Sequence, residues 1–331
     1  MLLSMVTALF VGELISRFLF PQTTLYPRYA ISPDYPISYP LNSELIHAQG
    51  WRWQFTYTTN ELGRRGEYHP MSDKYDTTNV VVLGDSFTFG HGVNDEDVYT
   101  EIMSERLTDT YAVINGGMSG WGIDSEIKWY FKTGRLYRPK YVVLQFTAND
   151  PGDSFSGVTT IEDGEFAFHL NPSTRPAWQL FLSRSYIIQN SHLYSLLRSA
   201  FDPARRSPSR FGNNEIEDNK PQSNYVEMLS LFAKEIDKQG SMLIYLSVTH
   251  SSDGVDLNYH YDLQHFPIIE KEVIRLESQG LLQFVDLPLV SMGHKTPSPE
   301  GHQWGPDHHE LVGITISDLI LKYENQHTAD N

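Results

Sequence analysis

From residue 78 onward the chain alternates short apolar runs with segments of helical period, and this alternation limits the fold more than any other feature. The runs fall at 80–83, 111–114, 141–146, 242–248 and 282–285. Each is continuously apolar, the pattern of a strand covered on both faces in a parallel sheet. Helical patterns lie between or after them at 96–108, 123–136, 222–239, 263–278 and 306–323. Strand and helix repeated in this way predict a doubly wound, three-layer α/β/α domain around five parallel strands. In such sheets ligands bind beyond the carboxyl ends of the strands.

The first strand runs straight into chemistry. In "VVVLGDSFTFGHGV" (80–93) four apolar residues lead to Gly84, Asp85 and Ser86. The plain reading of Ser86 is a loop serine that caps the next helix. Against it stand the buried strand before it, the glycine two residues back, and Asp85 and Asn94 as local hydrogen-bonding partners. The stretch is not a G-x-S-x-G elbow, since position 88 is Thr, nor a phosphate loop, since no Gly-Lys-Ser/Thr follows.

The next two strand ends supply what a serine nucleophile needs. "INGGMSGWG" (114–122) brings glycines that let a backbone N–H approach a ligand, and "QFTAND" (145–150) sets the Asn149 amide at a strand tip. A backbone N–H and a side-chain NH₂ beside a hydroxyl are donors suited to an oxyanion in acyl transfer. Each motif alone also makes an ordinary turn. Three in order, at three successive strand ends, make a specific signal.

The blocks "GDSFTFG", "NGGMSG" and "TAND" resemble the SGNH (GDSL-type) hydrolase superfamily over residues 78–325. "NELGRRGE" (60–67), with an apolar N-terminus, resembles its membrane-anchored bacterial members. The resemblance implies a flavodoxin-like sheet of five strands, Ser86 as nucleophile, and an oxyanion hole of the Ser86 N–H, the Gly117 N–H and the Asn149 Nδ2. It implies hydrolysis of O-acyl esters, commonly acetyl groups on carbohydrate, with no cofactor. Some members transfer the acyl group to a sugar hydroxyl instead, and an inactive cleft that merely holds a glycan is the non-enzymatic alternative.

The family's last block places an Asp two or three residues before a His, ahead of the final helix. Here the chain reads "SPEGHQWGPDHHELVGITISDLI" (298–320) and departs from that pattern. Aligned with one inserted residue, Gln303, it makes His302 the base and Glu300 the acid that orients it. The rivals for the base are His308, paired with Asp307, and His309. Gly305 as N-cap and Pro306 as first helical residue start the last helix, and His309, Val312, Gly313, Ile316 and Ile320 form its apolar stripe. His294 nearby permits a metal site, but no ligand spacing from His302 supports one, and none is expected. Trp121, Trp304 and Tyr99 are candidates to line a sugar cleft, with burial in the core as their plainer use.

The N-terminal twenty residues, "MLLSMVTALFVGELISRFLF", are mostly apolar and carry two charges, Glu13 and Arg17, spaced to pair on one helix face. The stretch has the length of a membrane span and lacks a basic n-region and a small-residue cleavage site. It is expected to be an uncleaved anchor that leaves the catalytic domain outside the cytoplasm, a helix packed on the domain being the alternative. Residues 21–77, rich in Pro and Tyr, are expected to form a linker and arm ending in an edge strand and a glycine turn at 63–66. Residues 151–221 interrupt the alternation as an insertion, a lid or a surface excursion, with one or two helices in 176–201. A net charge of −16 argues against a nucleic-acid partner, and the absence of cysteine excludes disulfides and a thiolate nucleophile. The expected partners are therefore an acylated carbohydrate or other small ester, and a membrane.

Overall fold

The computed structural model describes residues 2–26, 30, 32–67, 77–107, 110–153, 156–171, 185–201, 219–249, 263–288 and 304–329. Five strands build the central sheet: β4 (Thr78–Leu83), β5 (Tyr111–Asn115), β6 (Tyr141–Phe146), β9 (Met242–Thr249) and β10 (Gln283–Pro288). They are all parallel, in the order β5-β4-β6-β9-β10. This is the flavodoxin-like order. Its switch point lies between β4 and β6, where a crevice opens at the carboxyl ends.

The strands are apolar throughout because both faces are covered. Val80, Val82, Val143, Ile244 and Leu246 point to one core, with α3 (Tyr99–Leu107) and α10 (Pro306–Ala329) packed over it. Val81, Leu83, Val142, Leu144 and Tyr245 point to the other, under α4 (Ile123–Lys132), α8 (Asn219–Lys238) and α9 (Pro267–Ser278). The final helix starts at Pro306 after Gly305, and His309, Val312, Gly313, Ile316 and Ile320 are buried along it as the stripe predicts.

The Pro- and Tyr-rich arm is more structured than a linker. β1 (Thr23–Tyr26), β2 (Ser43–Gln49) and β3 (Trp53–Thr59) form an antiparallel sheet with β3 at its edge. Leu45 and Tyr57 of this sheet join the core, and Tyr39 stacks on Phe89 at 4.5 Å. The glycine turn carries two buried arginines. The Arg65 guanidinium pairs with Asp95 at 2.8 Å and donates to the carbonyls of Gly90 and Val93, while Arg64 lies over Trp121 at 4.5 Å. Burial lowers the Arg64 pKa to about 10. The "GRRG" motif thereby fastens the arm to the loops that follow β4 and β5.

The insertion divides into two parts. Its first is a hairpin, β7 (Thr159–Glu162) and β8 (Glu165–Phe168), turned at Asp163 and Gly164 with φ of 51° and 82°. Its second holds the expected helices, α6 (Tyr186–Gln189), which lies against β1, and α7 (His192–Phe201), which lies against β1 and the N-terminal helix α1 (Leu2–Leu19). The helix that follows begins at Asn219, three residues before the predicted start at 222.

Candidate active site

Ser86 opens a four-residue helix, α2 (Ser86–Phe89), directly after β4. The turn admits only glycine at position 84, because a Cβ there would lie 2.1 Å from Thr88 Oγ1 and 2.8 Å from Gln145 Oε1. Asp85 caps α2 by accepting the Phe87 N–H at 3.0 Å, and Gly90, left-handed at φ 81°, ends it. Below, Thr88 Oγ1 is fixed by the Tyr99 hydroxyl at 2.8 Å and Gln145 Oε1 at 3.0 Å. Asp85 and Phe87 are buried while Ser86 between them is partly exposed, so the tight turn lifts its hydroxyl toward solvent. The Ser86 Oγ lies 3.5 Å from Asp85 Oδ2.

The loop after β5 is tied down by Asn115. Its Nδ2 donates to the Thr88 carbonyl and to Thr100 Oγ1, both at 3.0 Å, and its Oδ1 accepts the Gly117 N–H at 2.9 Å. Met118 N–H reaches the Gly84 carbonyl at 3.1 Å. A Cβ on Gly117 would come 2.5 Å from the Phe89 nitrogen, so this glycine is required by close approach. Its amide nevertheless serves the loop's own fold. Gly120, three residues on, is exposed, has φ 75°, and its N–H has no partner among the described residues. The sequence reading passed over it, although a glycine between Ser and Trp in a strand-end loop is the available signal.

At the end of β6, Thr147 Oγ1 lies 2.9 Å from Asp150 Oδ1 and 3.0 Å from Asp85 Oδ2. Asn149 Nδ2 donates to Asp85 Oδ2 at 3.2 Å and to Asp153 Oδ2 at 2.8 Å. Asp85, Asp150 and Glu126 are buried together under the serine. Burial first, then mutual repulsion with further carboxylates for Asp150 and Glu126, pushes all three pKa values up. Glu126 Oε1 has no hydrogen-bond partner among the described residues, whereas Asp85 accepts from the Phe87 N–H, Thr147 and Asn149. This acidic floor was missed in the sequence because its members, Asp85, Glu126 and Asp150, come from three different segments.

His302 and Glu300 lie outside the described residues, as does His294. Description resumes at Trp304, which packs on Phe87 with ring centroids 4.7 Å apart. His308 is buried, and its Nδ1 accepts the Gly305 N–H at 3.2 Å. That bond puts the neutral ring's proton on Nε2 and leaves no free lone pair for a base. Burial lowers its pKa, against a smaller opposing pull from Asp307. His309 is fully buried, accepts the Tyr99 N–H at 3.3 Å and stacks on the Tyr99 ring. Trp121, Trp304 and Tyr99 are fully buried and line no sugar cleft; Trp121 packs under the arm at Tyr35 and Arg64, and Trp304 and Tyr99 belong to the core between the sheet, α3 and α10. Among the described residues no cluster of His, Asp or Glu is arranged to hold a metal ion.

No protein-family model and no curated protein matches the chain. Solved structures do. An acetyl xylan esterase is 14% identical with a TM-score of 0.43, covering 73% of this chain and 99% of that one. An esterase from Pseudoalteromonas sp. is 11% identical with a TM-score of 0.41, covering 75% and 99%. A carbohydrate acetylesterase from Sinorhizobium meliloti is 11% identical with a TM-score of 0.40, covering 75% and 100%. The likeness is loose, and what the site can do rests on the residues of this chain.

Proposed function

We propose that the chain is a serine ester hydrolase of the SGNH type, acting on small O-acyl esters, with O-acetyl groups on carbohydrate as the substrate class. One observation carries the reading. Ser86 Oγ and Asn149 Nδ2 both reach the same atom, Asp85 Oδ2, at 3.5 and 3.2 Å, so a hydroxyl and a side-chain amide stand side by side at the switch point of the sheet.

Ser86 attacks the ester carbonyl and forms an acyl-enzyme that water then hydrolyses. The oxyanion is bound by the Ser86 N–H, the Asn149 amide and the glycine loop after β5. Gly117 shapes that loop, and the Gly120 N–H is the unengaged donor in it. His302 takes the serine proton and Glu300 orients it. Trp304 packs on Phe87, the residue after Ser86, which supports His302, two residues earlier in the chain, as the base. The apolar helix α1 anchors the chain to a membrane with the catalytic domain outside the cytoplasm.

The test is labelling by a fluorophosphonate together with turnover of p-nitrophenyl acetate. Wild type should react in both assays, and Ser86→Ala in neither, with its fold unchanged. An unlabelled, inactive wild type would overturn the enzyme reading in favour of a glycan-holding module.

A further inference from the structure

The helix α1 is bound to the insertion through a charge. The Glu13 carboxylate accepts the Ser191 hydroxyl at 2.7 Å, the His192 N–H at 3.0 Å and the Leu193 N–H at 2.9 Å. These groups open α7 (His192–Phe201), so Glu13 caps a helix more than 170 residues away in the chain. Arg17 pairs with Glu13 at 3.1 Å and donates to the Asn190 carbonyl at 3.0 Å. Gln22 N–H reaches His192 Nδ1 at 2.8 Å. The two helices approach closely at Gly12, where a Cβ would stand 3.1 Å from Leu193 Cδ2.

Beyond this clamp α1 is unpartnered. Every residue from Leu2 to Val11 is exposed, and only Ser4 and Thr7 among them are polar. A protein partner covers one stripe of a helix, whereas a helix apolar on all faces requires lipid around it. The 18 residues of α1 measure about 27 Å, close to the hydrocarbon thickness of a bilayer. Glu13 sits six residues before the end of α1 at Leu19, which is about 9 Å along the axis. A helix capped at that depth lies at the boundary between headgroups and acyl chains. Beside this clamp the insertion exposes apolar side chains, Ile187 at 79% on α6 and Leu197 at 46% on α7, the helix that Glu13 caps.

Resting on the membrane-anchor reading above, we propose that α6 and α7 form a second membrane-contacting element, a lipid-facing platform. Clamped to α1 by Glu13, it seats the catalytic domain on the bilayer in one orientation instead of leaving it on a free tether. The partner is the lipid interface, entered by Ile187 and Leu197, and the clamp satisfies in place the carboxylate that would otherwise be costly in α1.

The absence of cysteine permits single-site labelling of the full chain. Leu9→Cys on α1, Leu197→Cys on α7 and Ile274→Cys on α9 each receive an environment-sensitive fluorophore and are mixed with phosphatidylcholine/phosphatidylglycerol vesicles. Emission is expected to rise several-fold at positions 9 and 197 and to stay unchanged at 274. With Glu13→Ala added, position 9 should keep its rise and position 197 should lose it. A label at 197 that remains aqueous while that at 9 enters lipid overturns the platform. A rise at 197 that survives Glu13→Ala overturns the clamp. If neither 9 nor 197 responds, the platform and the anchor fail together. Hydrolysis of p-nitrophenyl acetate by the same samples reports separately on the esterase reading.

Discussion

Asn149 and Asp85 are joined by a 3.2 Å hydrogen bond, and the same carboxylate caps the helix that begins with Ser86. Candidate nucleophile and candidate oxyanion donor therefore share one anchor, which fixes their separation more tightly than either strand end alone. The second Asn149 amide proton is engaged by Asp153 at 2.8 Å. An oxyanion must compete with a carboxylate for this amide, and it does so only when negative charge develops on the substrate.

The kinetic consequence is a loss in the chemical step. Asn149→Ala should lower kcat by roughly 10²–10³ with a small change in KM, because the amide binds charge present only in the transition state. Steady-state kinetics on an acetyl ester measures the split. A rise in KM alone would make Asn149 a ground-state contact.

The buried acids predict a pH dependence of stability. The Glu126 pKa is raised by burial and then by Asp150 and Asp85. A carboxyl group with a raised folded pKa contributes its full stability below the unfolded value, about 4.3, and loses it as pH rises toward the folded value. Glu126→Gln cannot ionise and removes that loss. Its unfolding free energy should match wild type near pH 4 and exceed it increasingly above, by up to about 1.4 kcal/mol for each pH unit within the window, as denaturant melts across pH measure. Parallel pH curves for the two proteins would mean that Glu126 does not hold the proton.

The five strands and their helices were legible because burial on both faces writes itself as unbroken apolar runs, as in Tyr141–Phe146, whose predicted bounds agree with the strand. The stripe of the last helix was legible for the same reason, since one face meets one core. The hairpin β7–β8 was missed although "EDGE" (162–165) carries the Asp-Gly pair of a tight turn between alternating residues. The structuring of the arm was hidden because Arg64 and Arg65 read as surface charges until their partners, distant in sequence, are known. The placement of Trp121, Trp304 and Tyr99 failed on the same ground: an aromatic side chain beside a motif says nothing about which side of the loop it packs.

Deleting residues 2–19 tests how far α1 belongs to the domain. The deletion removes Glu13 and Arg17 from the groups at 190–193, so α7 loses its cap. Hydrogen exchange should speed up in 185–201 while the central strands keep their protection, because both cores lack any α1 residue. Activity on a soluble acetyl ester should be retained. Exchange unchanged in 185–201 would show that α7 is held by other contacts.

The histidines separate chemistry from structure. His309 is fully buried between Tyr99 and Trp304 and accepts the Tyr99 N–H, so His309→Ala leaves a cavity and an orphaned donor. It should cost about 2–5 kcal/mol of stability, with residual activity in whatever stays folded. His308 accepts the Gly305 N–H, and burial lowers its pKa. A histidine depressed in the folded state contributes stability above its unfolded pKa, about 6.5, and loses it as pH falls below that value. His308→Gln should therefore be less acid-sensitive than wild type between pH 6.5 and 5, and nearly as active at pH 7.5. His302→Ala should retain wild-type melting behaviour and fall to the activity of Ser86→Ala, since a base must come within about 3 Å of the serine oxygen. Glu300→Ala should be milder, because orienting an imidazole is a supporting role. Melting curves and ester turnover on the four variants decide the assignment. An inactive, folded His308 variant beside an active His302→Ala would move the base into the helix and make Asp307 its acid.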